Sequence, residues 1–333
     1  MEHSIPLSTL ILAMLSIAII PTASNVGQHL RLKPGPVILG AVLAIVGVEV
    51  AMLIGNIFFD IIGLTGEVLR LAKMWLAAVV ATDPAGVSYV VGLLKRKLSE
   101  LAKTVGMTLE TESLLNDPYG LWKLALAMGL QESAMHELMA SILPIIGIVA
   151  VGALVAFFAR NTAIARSIHW VVAVILVIIG VQNHYALMTM AAVGTILAGF
   201  VVEWITGRGE EEHPNFEKFE EWFSLGMLTV AALVCGAILI SKAVWYPWQS
   251  WGILAGIAIR VIPRSLIAGL FIPTWRSYAN GGAIAFGVIC VATLIFFENG
   301  YSSLGGLMAW TAIGTWFSLL DLKSFINLGQ KTA

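Results

Sequence analysis

The chain has 333 residues, 59% of them hydrophobic and 12% charged, with a formal net charge of −1. Soluble domains carry roughly 25% charged residues, so an ordinary water-soluble globule is excluded. The balanced charge supplies no basic field for nucleic acid.

A membrane-crossing helix needs about 20 mostly apolar residues. About eleven such runs are legible, at 5–22, 36–59, 68–94, 107–131, 138–159, 165–182, 183–206, 221–241, 249–271, 280–298 and 302–320. The pattern predicts an all-α polytopic membrane protein. An N-terminal membrane half (1–206) precedes an acidic loop (207–220) and a C-terminal membrane half (221–333). No cleavable signal peptide is expected, because the first run follows Met1-Glu2-His3 rather than a basic segment. With the N-terminus outside, the positive-inside rule puts Arg31, Lys33, Lys95, Arg96, Lys97, Lys103, Arg160 and Arg166 on the cytoplasmic side. The C-terminus falls on that side as well.

In the second run, Glu49 and Asp60 read as interfacial residues near the span ends. The third run contains Thr82-Asp83-Pro84 in mid-span. Proline removes a backbone donor and clashes with the preceding turn. Thr82 and Asp83 are therefore expected where the helix breaks, facing protein or a water-filled cavity. The alternative is a merely kinked helix with a capping aspartate.

The fourth run, expected to begin near Met107, carries Glu112, Ser113, Asn116, Asp117 and Pro118. Glu112 and Asn116 are four apart, as are Ser113 and Asp117, and the two pairs read as one polar stripe. A charged group at hydrocarbon depth costs about 2.5–3.5 kcal/mol on insertion scales. A carboxylate there is stable when protonated or when bound to a cation. Oxygen ligands of this kind suit a hard cation. Competition of proton and cation for one carboxylate is the physical basis of an exchanger. Farther along the run, Lys123 is expected to pair with Asp117 or Glu132, or to reach the surface. Pro118 is expected to permit a kink.

Cys235 and Cys290 lie in apolar runs and read as buried hydrophobes, and the six histidines show no ligand spacing. Arg264 follows Pro263 in the ninth run. A buried arginine stays charged and needs a partner, with Glu112 the best-placed acid. The alternative is that Arg264 reaches the cytoplasmic surface.

The segment Ala81-Thr82-Asp83-Pro84, the basic Leu93-Leu94-Lys95-Arg96, and then Glu110-Thr111-Glu112-Ser113-Leu114-Leu115-Asn116-Asp117 resemble the cation/proton antiporter family. The likeness is closest to its sodium/proton exchanger branch. Leu32-Lys33-Pro34-Gly35-Pro36 is similar to the family's second membrane segment. Ile262-Pro263-Arg264-Ser265 resembles its G-P-R-G element, without the flanking glycines. The resemblance implies an inverted-repeat core with two broken helices crossing at mid-membrane, and a homodimer in the plasma (inner) membrane. It implies that Asp117, Asn116, Asp83, Thr82 and Ser113 bind the ion and carry the proton. Asp117, Thr82 and Ser113 would hold sodium transiently. It further implies a Glu112–Arg264 ion pair and electroneutral exchange.

The expected activity is exchange of a monovalent cation, sodium above all, for protons by alternating access, with no cofactor. The alternative is a transport-inactive scaffold or ion sensor on a reduced antiporter fold. The family places another whole helix between the Arg70–Lys73 stretch and Thr82, and this chain does not. An enzyme is not expected, since no serine elbow or paired zinc ligands are present.

Overall fold

The computed structural model describes residues 6–80, 100–129, 131–159, 162–181, 193–201, 246–254 and 286–318, with scattered positions elsewhere that include Val87 and Val91. These residues are helical, and no strand occurs among them. The first two helices, α1 (Leu7–Ala18) and α2 (Ile20–Leu32), are almost continuous. Pro21, which has no N–H, stands just past the break at Ile19. α3 (Pro34–Ile61) starts on a proline, where the missing donor is harmless. It ends at Gly63, which takes φ +71° and donates to the Asp60 carbonyl. The Leu64 N–H then closes back onto the Phe59 carbonyl at 3.0 Å, sealing the last turn.

α4 (Gly66–Val79) returns antiparallel to α3. α5 (Glu100–Ala127), α6 (Gln131–Ala159) and α7 (Thr162–Val181) follow. A short 3-10 turn at Pro247–Ser250 precedes α8 (Phe286–Glu298) and α9 (Ser302–Ser318). α5 begins seven residues before the expected start at Met107, and Lys103 lies on its first turns. Glu-Leu-Ala-Lys, at 100–103, is good helix-forming sequence. α5 is helical through Pro118.

Buried side chains of α1 and of α3 to α9 form one apolar core that includes Leu12, Val48, Leu76, Leu124, Leu176, Phe296 and Met308. A smaller core joins Ala23 and Val26 of α2, Val37 of α3 and Leu114 of α5 to Ile196. Distant parts of the chain are also tied by polar contacts. The Ser8 N–H at the start of α1 donates to Glu298 Oε1 at the end of α8, at 2.9 Å. Arg70 donates to Glu67 at 2.6 Å and to the Tyr301 hydroxyl at 3.1 Å. Hydrogen bonding to Arg70 holds the Glu67 carboxyl below the usual carboxylate range.

Among the described residues, Leu7–Leu32 and Pro34–Ile61 are long and apolar enough to cross a membrane. The first stretch is mostly buried in the bundle, whereas α3 turns Ile38, Ile45, Leu53 and Ile57 outward. α6 does the same with Leu143, Leu154 and Phe158.

Candidate functional site

Among the described residues, α5 carries the densest set of buried polar groups. Thr108, Glu110, Thr111, Glu112, Ser113 and Asn116 are each at most 1% exposed. The three hydroxyl groups are satisfied within the helix. Thr108 donates to the Thr104 carbonyl, Thr111 to that of Met107 and Ser113 to that of Glu110. Pro118 has no N–H for the Leu114 carbonyl, which leaves a helix carbonyl without its usual donor one turn before the proline.

The expected single stripe divides into two faces. At 3.6 residues per turn each residue advances about 100°. Relative to Glu112, Asn116 lies at about 40°, Tyr119 and Lys123 within about 20°, and Asp117 at about 140°. The first face carries Thr108, Glu112, Asn116, Tyr119 and Lys123, and it meets α3. Asn116 Nδ2 donates to Glu112 Oε1 at 3.1 Å. Asn116 Oδ1 is buried and accepts no hydrogen bond among the described residues.

The second face carries Glu110, Ser113 and Asp117. His29 of α2 approaches it, with Nε2 3.6 Å from Glu110 Oε2. Glu110 and Asp117 are seven residues apart, hence on one side of the helix about two turns apart. Glu110 belongs to the sequence motif, but the histidine beside it had no signal in ligand spacing. The contact depends on how α2 packs on α5.

α3 and α5 run in the same direction in a fixed register. A Cβ on Gly40 would lie 2.6 Å from the Thr108 carbonyl oxygen and 2.7 Å from the Thr111 Cβ. The two backbones therefore touch there, and only glycine fits. Nine residues on, Glu49 of α3 meets Tyr119 and Lys123 of α5. Lys123 Nζ is 2.6 Å from Glu49 Oε1, and the Tyr119 hydroxyl donates to the same oxygen. The ammonium also lies over the Tyr119 and Trp122 rings, 5.3 and 5.5 Å from their centroids.

Two expectations are corrected here. Glu49 stands in the middle of α3, not near a span end. Lys123 pairs with Glu49 rather than with Asp117 or Glu132. Asp117 and Lys123 are six residues apart, which separates them by about 120° around α5. The signal for Glu49 was its place at the centre of the apolar run 36–59.

Thr82, Asp83 and Arg264 lie outside the described residues, as do the helix break at Asp83-Pro84 and the Glu112–Arg264 pair. Of the expected site residues on α5, Glu112 and Asn116 are hydrogen-bonded on the α3-facing side, while Ser113 and Asp117 lie together on the other face. Among the described residues no group of three or more histidine, cysteine or carboxylate side chains is arranged to hold a metal ion. The chain matches no known protein-family model, and no curated protein matches it.

Proposed function

We propose that the chain is a polytopic membrane protein that exchanges a monovalent cation, sodium above all, for protons. Asp117 is the carrier in this reading, alternately protonated and cation-loaded. The observation that carries it is a helix whose Glu110, Glu112, Ser113 and Asn116 side chains are all buried, with Glu110 and Ser113 on the same face as Asp117. Such a set of carboxylate, hydroxyl and amide groups is costly in hydrocarbon and suits a hard cation. The outward apolar faces of α3 and α6 support a lipid surrounding, since water-soluble monomers rarely expose large contiguous apolar patches.

Thr82 and Asp83 would complete the ion site from a broken helix crossing α5 in an inverted-repeat core. Glu112 would pair with Arg264 and tie the two halves together. The protein would act as a homodimer in the plasma membrane, with a cytoplasmic C-terminus and electroneutral stoichiometry. Reconstitution into proteoliposomes with an entrapped pH dye tests the reading. Sodium, lithium or potassium added outside should dissipate a preset proton gradient. A gradient indifferent to all three ions sinks the transport reading and leaves a scaffold or ion sensor.

A further inference from the structure

The α3–α5 seam is sealed at one end and loose at the other. At Gly40 the backbones touch. At Gly47, two turns along the same face and buried, an added Cβ would meet nothing within 4 Å. Beyond Gly47 the seam holds Glu49, Tyr119 and Lys123, whose Glu49 and Lys123 side chains are 46% and 21% exposed. Asn116, with its buried Oδ1 accepting no hydrogen bond among the described residues, lies on the α3-facing side at about this level. From Gly40 to Glu49 is about 14 Å along the axis.

Glu49 is the one charged residue of α3 between Pro34 and Phe59. It is level with Tyr119, two residues past Asp117. A carboxylate, a phenol oxygen and two ring faces surround the Lys123 ammonium. That is the chemistry that receives a monovalent cation. Here the cation is tethered to the chain.

We infer that Glu49, Tyr119 and Trp122 form a second monovalent-cation station at the open end of the α3–α5 seam, in which the Lys123 ammonium is displaced by an incoming ion. The station rests on the transport reading of α5 and adds to it a second cation position on the α3-facing side of the helix, about 120° around from Asp117. Lys123 competes with the ion for Glu49, so removing the ammonium strengthens cation binding there and removing the carboxylate weakens it.

The test is sodium-driven exchange in proteoliposomes of the full chain. Lys123→Met is expected to lower the half-saturating sodium concentration by about threefold, and Glu49→Gln to raise it by about threefold, each with little change in maximal rate. The double variant should behave like Glu49→Gln. Tyr119→Phe, which keeps the ring and its packing, should raise half-saturation in the same direction. Unchanged half-saturation in all of these, with wild-type exchange intact, overturns the station and leaves the Asp117 reading standing.

If wild-type protein does not exchange ions, the Asp117 reading falls and thiol labelling decides the station. Lys123→Cys, in a chain whose Cys235 and Cys290 are replaced, should react with an impermeant cationic thiosulfonate. Sodium should slow that reaction relative to N-methylglucamine at equal ionic strength, and Glu49→Gln should abolish the slowing. No reaction, or equal rates in the two salts, overturns the station.

Discussion

Lys123 of α5 pairs with Glu49 of α3 at 2.6 Å, across two helices that run in the same direction. The Tyr119 hydroxyl shares the Glu49 oxygen, and two aromatic rings flank the ammonium. The pair is partly exposed, so its worth lies near the range of surface ion pairs. A double-mutant cycle with Glu49→Ala and Lys123→Ala, read by thermal unfolding in detergent, should give a coupling of about 1 kcal/mol. Additive single effects would mean that the two side chains do not interact.

Gly40 and Gly47 lie on one face of α3 and face opposite surroundings. Gly40→Ala pushes a methyl group into the Thr108 carbonyl and the Thr111 side chain. It should destabilise the protein by about 1–3 kcal/mol, the usual cost of overpacking. Gly47→Ala meets no neighbour and relieves the helix of a glycine. It should be neutral or stabilising by up to about 1 kcal/mol. Equal losses in unfolding temperature for the two would refute the wedge-shaped seam.

Glu112 accepts the Asn116 amide at a position 1% exposed. Glu112→Gln keeps an acceptor there, whereas Glu112→Ala leaves a buried donor without one. The alanine variant should lose about 1–3 kcal/mol and the glutamine variant distinctly less. If Glu112 also pairs with Arg264, Arg264→Ala should add little to Glu112→Ala. Strict additivity in unfolding experiments would argue against that pair.

The buried stretch of α5 was legible because polar residues in a greasy run stand out locally. Its division into two faces was legible in principle. Five residues of advance separate Glu112 from Asp117 by about 140°, and pairing them by four-residue steps concealed this. The Glu49 partner was not legible from one helix alone. It depends on the register between parallel helices joined through α4, which periodicity within α3 does not encode. The contrast between Gly40 and Gly47 is hidden for the same reason, since one letter serves both a backbone contact and open space. His29 next to Glu110 likewise follows from how α2 packs against α5.

The most direct measurement compares wild type with Asp117→Asn in proteoliposomes carrying equal amounts of folded protein and a preset proton gradient. Asparagine keeps the shape of the side chain and cannot exchange a proton. The wild type should dissipate the gradient on addition of sodium, and Asp117→Asn should lose that response while keeping the wild-type unfolding temperature to within a few degrees. Sodium-dependent dissipation that persists in Asp117→Asn would contradict Asp117 as the carrier, and its absence in the wild type would contradict exchange altogether.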